Sequence, residues 1–148
     1  MGPLIKIVPE ELNAVQKTDG WEKVKLYVDS GATETVVSDE MLTSIDTVEG
    51  ENLRKGVRYE IANGFRIPNK GEKKFIGVSG EGCERGIVAQ VADVNKGLLS
   101  VSRMVRSGHR VVFGDDSYIE DKATGERMWL EDEGGMFSLT LWVHAGGF

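Results

Sequence analysis

The chain has few of the residues from which disulfides and metal sites are built. Its 148 residues include one cysteine, Cys83, and two histidines, His109 and His144. A single cysteine excludes an internal disulfide, and two distant histidines provide no zinc-ligand spacing. We therefore expect no zinc site and a protein that works in a reducing compartment. Cys83 is predicted to be a free structural thiol, and both histidines are predicted to be solvated.

Long apolar runs and an excess of positive charge are also lacking. No apolar run approaches the roughly 18 residues that a membrane-spanning helix needs, and the N-terminus has no basic-then-apolar signal pattern. The formal net charge of -6 argues against a nucleic-acid surface, which requires clustered Lys and Arg. These features predict a cytoplasmic protein that binds neither a membrane nor nucleic acid.

Length and glycine distribution together predict one all-β domain spanning residues 1–148. The 19 glycines separate short runs rich in Val, Ile, Phe, Tyr and Leu, a pattern typical of strands joined by tight turns. Strands are predicted at 4–8, 23–28, 35–37, 57–61, 65–67, 73–78, 86–92, 110–113, 117–121, 127–131 and 137–143.

Two segments favour short helices, and one dipeptide favours a hairpin. Residues 38–45 open on a Ser cap, and residues 98–107 are followed by Gly108. Asn63 and Gly64 lie between two short apolar runs. This dipeptide predicts a hairpin with a type I′ turn, in which both central residues have positive φ. A further meander is expected over 110–143.

A run reading LYVDSGATETVV places Asp29 directly after an apolar strand and before a second apolar pair. A carboxylate at the end of a buried strand needs hydrogen bonds, because an unpaired buried charge is costly. Gly31 permits a tight turn that brings backbone N–H groups to Asp29, and the hydroxyls of Ser30 and Thr33 can donate to nearby carbonyls. The small Ala32 keeps the floor of the site open.

This run resembles the active-site motif of retropepsins, which has two apolar residues, Asp, Ser or Thr, Gly, Ala and then an apolar pair. The order of later features is also similar, with a hairpin at 59–67 in the position of the flap. A Leu-Leu-Ser-Val run at 98–101 and a Gly-x-x-Val-x-Phe run at 108–113 resemble the protease of Copia-type retrotransposon polyproteins. The resemblance covers about residues 23–121, which leaves 122–148 as a C-terminal β extension.

The resemblance implies a retropepsin-like acid-protease half-barrel with one or two short helices and a flap hairpin. Proteases of this class use two aspartates that share one proton around a water, whereas this chain has one Asp-Ser-Gly motif. It therefore implies a homodimer in which each copy contributes the catalytic Asp29. The residues expected to support Asp29 are Ser30, Gly31, Ala32 and Thr33. The residues expected at the flap over the substrate are Ile61, Ala62, Asn63 and Gly64.

The implied activity is hydrolysis of peptide bonds that requires neither metal nor cofactor, with a retrotransposon-type polyprotein as the substrate. Asp-Ser-Gly alone more often marks a turn, so two other functions remain open. One is a catalytically silent peptide-binding or assembly module with the same fold, and the other is a capsid-associated β-domain that dimerises through its termini. Trp21, Trp129 and Trp142 are predicted to anchor a core or an interface, with Trp142 and segment 4–8 available to a dimer sheet.

Overall fold

The computed structural model describes residues 20–61 and 63–145. Over these ranges the chain forms strands and only two short helices, so the all-β prediction is confirmed. The strands are β1 (Trp21–Asp29), β2 (Val36–Val37), β3 (Arg58–Glu60), β4 (Arg66–Pro68), β5 (Gly71–Ser79), β6 (Glu84–Val91), β7 (Gly97–Ser100), β8 (His109–Val112), β9 (Tyr118–Asp121), β10 (Arg127–Trp129), β11 (Glu131–Glu133) and β12 (Met136–His144). The helices are α1 (Glu51–Arg54) and α2 (Val101–Arg106). The strand predicted at 4–8 lies outside the described residues.

The main sheet has the strand order β1-β7-β2-β6-β5-β12-β11, and β1 also pairs with β12. That additional pairing closes six of the strands into a circuit, with β11 attached beside β12. The remaining strands form the three-stranded sheet β10-β9-β8 and the hairpin β3-β4. Neither helix in the described ranges is long or apolar enough to cross a lipid bilayer.

The C-terminal strand β12 is an internal member of the sheet. It pairs antiparallel with β1 from Trp21 opposite His144 to Tyr27 opposite Ser138. On its other edge it pairs with β5 and with β11. The C-terminal extension predicted from the sequence therefore supplies a strand next to the one that carries Asp29.

Alternation along β1 and β12 builds the core. Val24 and Leu26 of β1 face inward, and Lys23 and Lys25 are exposed. Leu139, Leu141 and Val143 of β12 join the same buried cluster. This period of two is the pattern of a strand with one buried face, so strand positions could be predicted from the sequence.

The helix predicted at 38–45 is wrong, because this segment forms successive turns. Leu42 is buried with φ of 56°, in the left-handed region that a helix excludes. The carboxylate of Glu22 accepts backbone hydrogen bonds from Thr43 and Ser44 at 3.0 and 3.1 Å. The carbonyl of Leu42 accepts from Nζ of the buried Lys73 at 2.8 Å. Partners on β1 and β5 thus replace the hydrogen bonds of a helix.

The second predicted helix, 98–107, is half strand and half helix. Gly97–Ser100 forms β7, and Val101–Arg106 forms α2. The apolar residues before Ser100 pair with β1 in a parallel ladder, which the sequence alone did not indicate. Helix α1, Glu51–Arg54, was not predicted.

Several side chains lie in surroundings that differ from the prediction. His109 is buried, where its Nε2 accepts from Arg85 Nε at 3.0 Å, and its Nδ1 lies 3.0 Å from Ser107 Oγ. His144 is half-buried and contacts Trp21 edge-on, with ring centroids 5.2 Å apart. Trp142 is buried in the strand between β1 and β5, so it is not available to a dimer sheet.

Candidate active site

Asp29 is the last residue of β1 and is half-buried. Its Oδ1 accepts a hydrogen bond from the backbone N–H of Gly31 at 2.8 Å. A Cβ at Gly31 would lie 3.3 Å from the same oxygen, so a larger residue would crowd the carboxylate. The tight turn therefore holds Asp29 by a backbone donor, in the way that the glycine suggested.

The loop after Asp29 is anchored by Ser100, a fully buried residue on the neighbouring strand β7. Asp29 and Ser100 are Cα partners in the parallel pairing of β1 and β7. Ser100 Oγ donates to the carbonyl oxygen of Ala32 at 2.7 Å, and the Ser100 N–H donates to Thr35 Oγ1 at 3.1 Å. The end of β7 therefore fixes the position of the loop.

Ser30 and Thr33 do not brace the loop in the way that was predicted. Both residues are exposed, and neither hydroxyl hydrogen bonds to another residue in the described ranges. Thr35 and Ser100, which the prediction did not include among the site residues, make the corresponding contacts from buried positions.

Two grooves meet at Asp29. The first, of about 330 Å³, we call the aromatic groove, and it is lined by Tyr27, Val28, Asp29, Ser30, Leu98, Phe113, Gly135, Met136 and Phe137. The second, of about 380 Å³, we call the flap groove, and it is lined by Asp29, Gly31, Ala32, Thr33, Glu34, Val36, Arg58, Tyr59, Glu60, Ile61, Ile67, Val94 and Leu98. Asp29 and Leu98 are common to both linings, so the two grooves adjoin at Asp29.

The hairpin of β3 and β4 forms one wall of the flap groove. Its strands pair antiparallel from Arg58 opposite Pro68 to Glu60 opposite Arg66. At its tip, Gly64 N–H donates to the Ile61 carbonyl at 2.9 Å, and Gly64 has φ of 84°. Asn63 does not have positive φ, so the predicted type I′ turn is wrong although the hairpin is present. A turn that ends on Gly64 in the left-handed region accounts for this hydrogen bond.

Only one of the predicted flap residues lines the flap groove in the described part of the chain. Ile61 lines the flap groove, whereas Asn63 and Gly64 lie in the turn and do not line it. Ala62 lies outside the described residues. The described contacts with the groove therefore come from the strands of the hairpin more than from its tip.

A polar network joins the hairpin to the loop and to helix α2. The carboxylate of Glu34 accepts from Asn52 Nδ2, Tyr59 OH and an Arg103 Nη at 2.9 to 3.1 Å. Asn69 Nδ2 in turn donates to Tyr59 OH at 2.9 Å. Because Glu34 lies five positions after Asp29, this network fixes the far end of the loop. Its members are too far apart in sequence for any local motif to reveal them.

Burial raises the pKa of Tyr59, and the nearby Glu34 carboxylate raises it further. The hydrogen bond from Asn69 opposes this shift without cancelling it. Tyr59 therefore stays protonated and donates its hydroxyl proton to Glu34 throughout the physiological range. The base of the hairpin is held by this bond.

The arrangement supplies one carboxylate, Asp29, that is held by a hydrogen bond and lines two grooves. A carboxylate in this position can accept a proton from a bound water. Glu34 also lines the flap groove, but its three donors engage both of its oxygens. Glu60, the remaining carboxylate in the lining of the flap groove, lies 4.0 Å from Arg66 Nε on the paired strand. No family model, curated protein or solved structure matches the chain.

Proposed function

We propose that this chain is an aspartic endopeptidase with a retropepsin-like half-barrel fold, active as a homodimer in which each copy contributes Asp29. The observation that carries the proposal is the position of Asp29, held by the Gly31 N–H at the junction of two grooves. The run from Leu26 to Val37, which resembles the retropepsin motif, forms the strand, turn and strand around this carboxylate.

In the proposed dimer two copies of Asp29 face each other across a two-fold axis and share one proton, because two carboxylates in contact cannot both ionise. The ionised member accepts a proton from a bound water, whose oxygen attacks the scissile carbonyl carbon. The protonated member donates to the carbonyl oxygen, and a proton then passes to the leaving amine as the C–N bond breaks. The pair titrates as a unit.

The local geometry supports a second copy as the source of the acid partner. Ser30, Gly31 and Thr33 are exposed beside Asp29, so another chain has access to the loop. The nearby carboxylate of Glu34 is committed to Asn52, Tyr59 and Arg103.

The two grooves suggest how a peptide substrate would bind. An extended chain crossing Asp29 would place side chains alternately, so that neighbouring residues reach different pockets. The aromatic groove, with Tyr27, Phe113 and Phe137, favours a bulky apolar side chain next to the scissile bond. Processing of a retrotransposon-type polyprotein is the narrower form of the proposal, and it is supported by the Copia-like run at 98–101.

Asp29→Asn tests the chemistry. Asn keeps the size of the side chain and an oxygen that can accept from Gly31 N–H, but it cannot act as a base. We expect the wild-type chain to cleave a peptide library at mildly acidic pH, with inhibition by a statine-type transition-state mimic. We expect the variant to fold normally and to have lost cleavage. Hydrolysis retained by a purified Asp29→Asn chain would exclude the mechanism.

Sedimentation tests the assembly. The wild-type chain is centrifuged with and without a peptidic aspartic-protease inhibitor, which we expect to shift it toward the dimer because the inhibitor bridges both copies. Peptide binding by the wild-type chain without any cleavage would favour the silent peptide-binding module instead. A chain that cleaves no peptide without the inhibitor and stays monomeric with it contradicts the homodimeric enzyme.

A further inference from the structure

Strand β6 has one edge that is only partly paired. On one side β5 pairs with it along its length, whereas on the other side β2 reaches only Gln90 and Val91. The Gln90 N–H donates to the Thr35 carbonyl across that side. Since backbone groups alternate along a strand, the N–H and C=O of Val88 and Gly86 face the same way. No residue in the described ranges hydrogen bonds to these four groups.

This open edge lacks the features by which exposed edges are normally protected. Gly86 has open space around it, and Val88 is 51% exposed. Neither is a charged residue or a proline, the residue types that block strand addition. The edge ends at Glu84, whose carbonyl accepts from Arg85 Nη1 at 2.7 Å. The unpaired part of the edge therefore has room for one short added strand. It would pair with residues 86–88 and continue the direction of β2.

A groove of about 610 Å³, which we call the edge groove, runs along this edge. Gly86 and Val88 line one wall, and Arg103, Met104 and Arg106 of α2 line the other. Asp29 does not line it. Glu34 is the one described residue that this lining shares with the flap groove, so the two grooves adjoin at Glu34, whereas Asp29 is not part of the edge groove.

The edge groove adjoins a smaller cavity that reaches the core. This cavity has a volume of about 100 Å³, and most of its lining is apolar, including Ile87, Leu99, Met128 and Leu141. Gly86, Ile87, Leu99, Met104 and Ser107 line both spaces. A side chain that points inward from an added strand would thus meet an apolar pocket.

Charge distinguishes the two ends of the edge groove. Helix α2 begins near Glu34, which pairs with Arg103 at 3.1 Å. One turn later the exposed Arg106 donates to Ser102 at 3.3 Å, and no carboxylate of the described residues lies within ion-pair distance of it. The end of the groove near Gly86 therefore presents a guanidinium group that is available to an acidic ligand.

We propose that the edge groove binds an extended peptide as an added strand on β6, with an aliphatic side chain in the apolar cavity and an acidic side chain at Arg106. Backbone hydrogen bonds to Gly86 and Val88 would provide affinity, and the cavity with Arg106 would provide selectivity. This site is distinct from the peptide-hydrolysis site, and its occupation does not depend on chemistry at Asp29.

The test uses the Asp29→Asn chain, so that cleavage does not remove the ligand. The probes are blocked eight-residue peptides of Thr and Val that contain one Leu and one Asp at varied spacing. Two-dimensional ¹⁵N NMR follows the backbone amides during titration. We expect the largest shifts at Gly86, Val88 and the residues of α2. Shifts confined to 29–33 and 58–67, or no binding by any probe, would overturn the proposal.

Matched substitutions at Gly86 test the mode of binding. Gly86→Pro removes an N–H that faces the groove and is not used in the pairing with β5, whereas Gly86→Ala keeps it. We expect about tenfold weaker peptide binding for the proline variant, and near-unchanged binding for the alanine variant. Equal affinities of the two variants, each with an unchanged β-sheet circular dichroism spectrum, contradict strand addition.

Arg106→Glu tests the charge preference. Arg106 is exposed, and its substitution does not alter the backbone groups of β6. It should weaken binding of the Asp-containing probe several-fold. The same probe with Asn in place of Asp should be much less affected. If both probes lose affinity equally, or neither does, Arg106 is not the acidic-residue contact and the proposed selectivity is wrong.

Discussion

The hydroxyl of Ser100 makes two hydrogen bonds that join the candidate active-site loop to helix α2. It donates to the Ala32 carbonyl at 2.7 Å and accepts the backbone N–H of Arg103 at 3.2 Å. Ser100 is the N-cap of α2 and also the last residue of β7. One buried side chain thus sets the position of the loop relative to the helix.

Ser100→Ala should destabilise the chain by about 2 kcal/mol. Loss of an N-cap costs roughly 1 kcal/mol, and an unpaired Ala32 carbonyl costs about 1 kcal/mol more. Urea unfolding measures this free energy. Ser30→Ala is the matched control, since Ser30 is an exposed serine of the same loop whose hydroxyl hydrogen bonds to none of the described residues. Equal effects of the two substitutions would show that Ser100 does not anchor the loop.

Glu22→Gln should lower stability at neutral pH and have little effect in acid. Burial alone would raise the pKa of Glu22, but hydrogen bonds from Ser44 and Thr43 together lower it below its ordinary value of 4.5. A carboxyl group whose pKa is lower in the folded state stabilises the folded protein at pH values above its unfolded-state pKa. This contribution disappears as the pH falls through the folded-state pKa. Urea midpoints at pH 7 and near pH 3 measure it.

The matched control for Glu22→Gln is Glu40→Gln. Glu40 is an exposed carboxylate close to the same turns and makes no hydrogen bond with the described residues. Its substitution should leave the urea midpoint nearly unchanged at both pH values. A Glu22→Gln effect of the same size at both pH values would contradict the assigned cause.

Gly64→Ala should weaken the hairpin of β3 and β4. Gly64 has φ of 84°, where an L-residue is strained by about 1 kcal/mol. Hydrogen exchange at Ile61 and Phe65 should accelerate, and cleavage should slow if the hairpin closes on substrate. Gly80→Ala is the control, because a Cβ at Gly80 also meets open space but its φ is not positive. Unchanged hydrogen exchange at Ile61 would show that the hairpin does not depend on the positive φ of Gly64.

Cys83 should react slowly with a disulfide reagent in the folded state. The residue is 5% exposed, and burial raises the pKa of its thiol, so little thiolate is present to react. Reaction of the native chain should be far slower than that of the urea-unfolded chain. If the native chain reacted about as fast as the unfolded chain, the turn that carries Cys83 just before β6 would have to open readily.

Local patterns in the sequence predicted most strands and the hairpin. Alternation of Lys23, Val24, Lys25 and Leu26 marks a strand with one buried face, and Asn63-Gly64 marks a reversal of the chain. Both patterns involve only residues close together in the sequence, so they can be recognised without knowledge of the tertiary structure. The position of Asp29 at a strand end followed from the same reasoning.

Long-range partners account for the parts that could not be predicted. Residues 38–45 have a helical pattern, but Glu22 and Lys73 bind their backbone groups in a different conformation. The Glu34 network depends on Tyr59 and Arg103, which approach only after the sheet has formed. The buried His109 accepts a hydrogen bond from Arg85, and no sequence pattern near position 109 predicts that contact.

The pairing of Trp21 with His144 has a consequence for biosynthesis. Among the described strands, β1 leaves the ribosome first during translation and its neighbour β12 leaves last. Until then β1 lacks one of its two partners, and the closed circuit of strands cannot form. Vectorial synthesis therefore delays closure of the strand circuit that includes β1 until β12 has emerged, so a nascent chain stalled before β12 would carry the aspartate without a finished sheet around it.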